Sequence, residues 1–268
     1  MARELGKFIA SGRMADVHEW GPGWVLKLFR EGIDLAVVRR EHSISIAVFE
    51  AGAPAPRTGA VVAIGPRYGI EYERVDGVPL PQAMRSDPSK LFYYADLMAD
   101  TQLQLNSIEN VEGVPLQSPT LELRLSAGTI LDSETKRRVL ARLCELATGS
   151  SLCHGDFHPE NIIVQGNRAT VLDWTAASRG DASGDLAGTL VILNGYLQAI
   201  GSQSPESHAI HQFTQRYLSR YLGAGRVPGE AYRDWIPIVA ATRLSDGIDE
   251  QREWLMTQVR SAFVAQPQ

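Results

Sequence analysis

Apolar and polar positions change their rhythm about a quarter of the way along the chain. From about Phe8 to Val75 the apolar residues fall in short runs bounded by turn formers, which predicts a β-rich segment holding a single helix. Trp24 to Phe29, WVLKLF, is an apolar run broken by one lysine and reads as a buried strand. Asp34 stands where a carboxylate caps a helix, and that helix is predicted through LAVVRREHSISIAVFEAG, with Gly52 as its stop. APAP (Ala53 to Pro56) forces an extended connection, because a residue before proline avoids the helical region. GAVVAI and YGIEYERV on either side of GPR predict a hairpin. In DGVPLP, Asp76 to Pro81, a glycine and two prolines are expected to continue neither element, so this stretch is read as a hinge or linker between residues 1–75 and 82–268.

Beyond the linker the pattern is helical. One helix is expected from Asp87 as cap and Pro88 as first helical residue, and another from Ser133 as cap to Gly149 as stop. The last third is again helical, with Tyr217, Tyr221, Trp235 and Trp254 at core-like positions. The fold class is therefore α+β, with a small β-rich lobe followed by a larger helical one.

Composition narrows the function. At 268 residues, with 44% hydrophobic and 21% charged residues, the chain has the make-up of a globular protein with a sizeable core. A formal net charge of −5 argues against a general nucleic-acid surface. No apolar run approaches the roughly 20 residues needed to span a bilayer, and the first 20 residues hold no secretory apolar segment. The two cysteines, Cys144 and Cys153, form no disulfide framework and suit a reducing compartment. The expectation is a cytoplasmic protein without membrane or nucleic-acid partners.

The chemistry concentrates in LCHGDFHPENIIV, Leu152 to Val164, and the segment after it. NIIVQGNRATVLDW reads as two strands around Gly166-Asn167. A two-residue loop sets Asn161 opposite Leu172 with Asp173 one step on, and a strict pleat then turns Asn161 and Asp173 to opposite faces. A three-residue loop with a bulge sets them directly opposite. Either turn brings together an amide oxygen and a carboxylate 12 residues apart, which suits Mg²⁺, a cation that takes a few protein oxygens and leaves the rest to water and phosphate. Asp156, five residues before Asn161, is placed as a base rather than a third ligand. A hydrolytic metal reading of His154, Asp156 and His158 lacks the further ligands that a zinc site requires. In the first lobe, Lys27 sits in an apolar strand where an unpaired charge is costly. Glu41 is the sole Asp or Glu of the following helix before Glu50 and is its natural partner, an arrangement that presents a lysine to nucleotide phosphates.

HGDFHPEN and VLDWTAASRGDASGDLA together resemble the catalytic-loop and metal-binding segments of the aminoglycoside phosphotransferase and choline kinase-like family, which has the protein-kinase fold. The resemblance implies a two-lobed small-molecule kinase, with Mg²⁺ as cofactor and ATP or GTP as co-substrate. In it Asp156 is the catalytic base, Asn161 and Asp173 are the metal ligands, and Lys27 and Glu41 serve the nucleotide. His158 would steady the transferred phosphate, His154 brace the loop, and Asp185 hold backbone. Gly12, with Ser11 and Arg13, would lie over the phosphates, although a single glycine stands where protein kinases have several. Glu73 and Val75 would meet the purine edge through their backbone. Three functional readings follow: a phosphotransferase acting on a small-molecule hydroxyl, such as that of an aminoglycoside or amino alcohol; a pseudokinase-like regulator; and a protein kinase. Acidic residues Asp246, Asp249, Glu250 and Glu253 could hold an amine-bearing acceptor, but their mixture with Arg243 and Arg252 reads better as a solvated helix face.

Overall fold

Alternation within β-strands explains the small lobe in the computed structural model, which describes residues 4–146, 148–201 and 204–263. Its elements are β1 (Phe8–Ser11), β2 (Ala15–Glu19), β3 (Trp24–Phe29), α1 (Leu35–Glu50), β4 (Thr58–Ile64) and β5 (Arg67–Glu73). The strands form an antiparallel sheet in the order β1-β2-β3-β5-β4. Successive side chains of β3 point to opposite faces. Leu26 and Leu28 pack with Trp20 on one face, and Phe29 packs with Ala15, Ile70 and Val38 of α1 on the other. Lys27 shares the α1 face.

Asp34 caps α1 as the sequence predicts, its Oδ1 accepting from the Ala36 N–H at 2.7 Å, and Gly52 follows the helix in a left-handed conformation at φ 83°. The helix serves both lobes. Val38 lies under the sheet, while Ile44 and Val48 join the core of the larger lobe.

The expected linker is mostly structured. Val78–Pro79 form a short strand, β6, and Leu80–Ser86 form α2, so within residues 74–81 only 74–77 lack a regular element. Proline was the misleading signal: Pro81 sits in the first turn of α2, where its missing N–H has no intrahelical partner to lose. The larger lobe continues with α3 (Leu91–Asn106), α4 (Gln117–Ala127), α5 (Ser133–Leu146), β7 (Ser151–Cys153), β8 (Ile162–Gln165), β9 (Arg168–Val171), β10 (Ser178–Gly180), α6 (Ala182–Ile200), α7 (Pro205–Gly223), α8 (Tyr232–Arg243) and α9 (Asp249–Phe263). Asp87 and Pro88 stand at the start of the helical stretch as expected, but it opens as a 3₁₀ turn, Pro88–Lys90, before α3, and the Asp87 carboxylate takes the Ser89 hydroxyl. At α5 the cap is Asp132 rather than the expected Ser133, and Asp132 accepts from the Thr135 N–H at 2.8 Å and its hydroxyl at 2.7 Å.

Strands β6, β8 and β9 form one small sheet, and β7 pairs with β10. They lie against a core that contains Trp174, Tyr217, Tyr221 and Trp235, with Trp254 half-buried at its edge. Among the described residues, no helix is long and apolar enough to cross a membrane.

Candidate active site

The β8–β9 ladder runs from Ile162 opposite Val171 to Gln165 opposite Arg168, so the connection is the two-residue turn Gly166-Asn167. The Leu172 N–H donates to the Asn161 carbonyl at 2.8 Å, extending the register by one pair. Asp173 then departs from the pleat. Its φ of 59° lies in the left-handed region, which a short polar side chain tolerates better than most. That single residue swings its carboxylate to Lys27 instead of leaving it on the face opposite Asn161.

The loop before β8 is fastened from beneath. His154 is fully buried, and its Nε2 donates to the Leu172 carbonyl at 3.0 Å. Burial lowers its pKa despite the carboxylates around it. The Gly155 N–H donates to Asp185 Oδ1 at 2.8 Å. The other oxygen of that buried carboxylate accepts from Gln102 Nε2 at 2.9 Å and Asn106 Nδ2 at 3.0 Å, which ties the loop to α3 and α6. Tyr217 and Tyr221 of α7 donate in turn to Gln102 and Asn106. This saturated network gives a flexible loop sequence one arrangement.

On that base stands Asp156. Its Oδ1 lies 3.0 Å from Arg243 Nη1, and its Oδ2 lies 3.6 Å from His158 Nε2. Burial alone would raise its pKa, but the neighbouring His158 and the Arg243 charge outweigh it and hold the carboxyl well below the usual range. The amide nitrogen of Asn161 donates to the Asp156 carbonyl at 3.0 Å and lies 3.1 Å from His158 Nε2. The Asn161 oxygen is therefore the atom left for a cation.

Across the cleft, Lys27 Nζ lies 2.7 Å from Glu41 Oε1 and 3.0 Å from Asp173 Oδ1. Burial opposes its charge, yet the two carboxylates raise its pKa above the ordinary lysine value. Glu41 is buried and also accepts from Tyr72 OH at 3.1 Å and Thr175 Oγ1 at 2.8 Å. In the β1–β2 connection, Arg30 donates to the Gly12 carbonyl at 2.8 Å, the Arg13 carbonyl at 3.0 Å and Ser11 Oγ at 3.1 Å. An arginine clamp thus shapes a loop that holds one glycine, and a Cβ at Gly12 would meet nothing closer than 3.6 Å. On the rim, the Glu73 N–H is already given to the Arg57 carbonyl at 2.8 Å.

These groups line one cleft of about 560 Å³, with Gly12, Lys27, Glu41, Glu73 and Val75 from the small lobe and Asp156, Asn161 and Asp173 from the large one. His158 stands behind Asp156, outside that lining. An amide oxygen and a carboxylate within one cleft fit the hard-donor preference of Mg²⁺. The zinc-hydrolase pattern does not hold together, because His154 is buried and committed to a backbone carbonyl. Asp249, Glu250 and Glu253 are exposed on α9, as the solvated-face reading expects, and Asp246 is held by Arg124 at 2.7 Å. Arg243, Thr175, Tyr72 and Arg30 were not marked as site residues by the sequence, because nothing local distinguishes them.

A family model described as the phosphotransferase enzyme family matches residues 8–226. No curated protein matches the chain by sequence. Among solved structures, the chain is similar to a choline/ethanolamine kinase family protein from Mesorhizobium loti at 15% identity and a TM-score of 0.59, over 99% of this chain and 88% of that one. It is also similar to an aminoglycoside-3′-phosphotransferase of type VIII at 20% identity and a TM-score of 0.57, over 94% of each chain. A third is an aminoglycoside phosphotransferase from Streptomyces rimosus, solved with ADP and streptomycin, at 18% identity and a TM-score of 0.55, over 85% of this chain and 90% of that one. With its family model spanning both lobes and the whole cleft, the chain belongs to the phosphotransferase enzyme family.

Proposed function

We propose that the chain is an ATP- and Mg²⁺-dependent small-molecule kinase that moves the γ-phosphoryl group to an acceptor hydroxyl. Residues 1–75 would hold the nucleotide, residues 82–268 the acceptor, and 76–81 would lie between them. The observation that carries the reading is the juxtaposition across one cleft of the Lys27–Glu41–Asp173 ion-paired trio with Asp156 and Asn161. Adenine nucleotide is favoured over GTP because ADP is the nucleotide named in the Streptomyces rimosus structure.

In this mechanism Lys27, held by Glu41, neutralises phosphate oxygens, and Gly12 lies over them. Val75 offers backbone to the purine edge, with the Glu73 carbonyl beside it. Asn161 and Asp173 would hold Mg²⁺, which when bound supplies charge neutralisation at the phosphates. Asp156 accepts the proton of the acceptor hydroxyl as its oxygen bonds to the γ-phosphorus and the bond to the ADP oxygen breaks. His158, outside the cleft lining, steadies the Asp156 carboxylate from behind and is assigned no contact with the group in transit. Catalysis of this kind is positioning plus charge stabilisation.

The complete residue set argues against a pseudokinase-like regulator. Against a protein kinase, α6 begins at Ala182, nine residues after Asp173, which leaves no long segment to form a peptide platform. A cytoplasmic location goes with ATP use and with free thiols at Cys144 and Cys153. The test is ADP release with a panel of hydroxylated acids, sugars and amines, using the wild type and Asp156→Ala. Turnover that Asp156→Ala abolishes while nucleotide binding persists supports the reading, and turnover that survives the substitution refutes it.

A further inference from the structure

The proposed base has an unusual neighbour for an enzyme expected to accept amines. Arg243 closes α8, is 9% exposed, and sets Nη1 3.0 Å from Asp156 Oδ1. A hydroxyl that gives its proton to Asp156 must approach within about 3 Å of that carboxylate, which brings the acceptor within two hydrogen-bond lengths of the guanidinium. Further cationic groups converge on the same corner. Arg124 Nη2 lies 2.7 Å from Asp246 Oδ1, Arg243 Nη2 lies 3.6 Å from Asp246 Oδ2, and Arg13 Nη2 donates to the Asp246 carbonyl at 2.6 Å. Asp246 is thus the carboxylate nearest to Arg243 after the base, and it is already ion-paired. Two guanidinium groups, Arg243 and Arg124, meet the carboxylates of Asp156 and Asp246, Arg13 reaches the Asp246 backbone carbonyl, and His158 also leans on Asp156. Arg243 makes one close hydrogen bond, to Asp156, and its Nε is buried without a hydrogen-bond partner.

An ammonium group near the reacting hydroxyl would face this arginine with no free carboxylate on the 243–246 corner to balance it. The cleft lining also holds Glu160, which is exposed, and Glu73 on the rim, while Glu41 and Asp173 are paired with Lys27. An anionic group would find Arg243 Nη2, which lies 3.6 Å from Asp246 Oδ2 and makes no close hydrogen bond, together with Arg13 on the cleft lining, and guanidinium donors suit carboxylate and phosphate. We infer that the acceptor bears a carboxylate or phosphate beside its reacting hydroxyl, recognised by Arg243 with Arg124 and Arg13, and is therefore a hydroxy acid or a phosphorylated alcohol rather than an aminoglycoside or amino alcohol. Arg243 acts as the specificity-determining residue. The inference rests on the kinase reading.

The test is calorimetric titration of the full chain, loaded with Mg²⁺ and a non-hydrolysable ATP analogue, with glucose, glucosamine, gluconate and glucose 6-phosphate. These probes keep a similar polyhydroxyl skeleton and change its charge. At least one anion should bind at least tenfold more tightly than glucosamine, and comparing gluconate with glucose 6-phosphate tells carboxylate from phosphate. Arg243→Met should abolish that preference, and Arg243→Lys should keep part of it. Arg124→Met should weaken the preference too, and serves if the Arg243 variants unfold on melting. Glucosamine binding as tightly as the anions would overturn the inference, as would a preference that survives Arg243→Met. Normal analogue binding without binding of either anion would overturn it while leaving the kinase reading in place. Absence of analogue binding would sink the kinase reading, and this inference with it.

Discussion

Lys27 and Glu41 mark the residue scale, where a charge placed in an apolar strand demands a partner. Glu41 is 1% exposed, so Lys27→Met leaves a buried carboxylate supported only by Tyr72 and Thr175. Removing one member of a buried pair costs about 3 kcal/mol. That loss is expected in chemical denaturation, together with at least a tenfold weaker nucleotide affinity in a binding titration. Because the folded pKa of Lys27 is raised, its contribution is complete below the ordinary lysine value and disappears only as pH rises through the raised one. Nucleotide affinity should therefore show no loss assignable to this lysine up to about pH 10. Asp185 makes a different kind of demand. Asp185→Ala strips acceptors from Gln102, Asn106 and the Gly155 N–H, all in the network beneath the loop. The expected result is a loss on the order of 3 kcal/mol and a fall in kcat larger than the change in nucleotide affinity, read by denaturation and steady-state kinetics.

At the scale of elements, turn and cap chemistry decides how the loops sit. Gly155 has φ 77°, and a Cβ there would lie 2.5 Å from the Ala176 carbonyl. Gly155→Ala should therefore displace the loop that carries Asp156 and cut kcat at least a hundredfold, measured against a retained circular dichroism spectrum. By contrast, Asp34→Ala removes the exposed α1 cap, outside the cleft lining, and should lower stability by about 1 kcal/mol without changing kcat. Strand periodicity, the α1 cap and the Gly166-Asn167 turn were all legible in the sequence, because each is set by neighbours along the chain. The reading of 76–81 as linker mistook Pro81 for a breaker, although proline is compatible with a first helical turn. At α5 the neighbouring Asp132 and Ser133 are both good caps, and contact geometry alone chose Asp132.

Over the whole molecule, long-range contacts among the described residues bridge the cleft: Lys27 to Asp173, Thr175 to Glu41, and Arg13 to the Asp246 carbonyl. A ligand held between the lobes binds the folded state alone and stabilises it by mass action. ATP with Mg²⁺ at 100 times its dissociation constant should add about 2.7 kcal/mol, seen as a rise in Tm, and chelation by EDTA should remove most of it. The rise should be smaller in Asp173→Asn, which weakens both the Lys27 pair and the proposed metal site.

The sequence by itself determined the strand–helix order of the small lobe, the helical character of the large one, and the gathering of Asp156, Asn161 and Asp173 on one loop and hairpin. Those features rest on apolar periodicity, turn residues and close spacing, which are local properties. Tertiary structure alone decided that Asp173 leaves the pleat to meet Lys27, that Arg30 shapes the loop holding Gly12, and that Arg243 comes from 87 residues away to sit on Asp156. Such contacts join elements distant along the chain, and their partners follow from how the lobes and helices pack, which no short window of residues specifies.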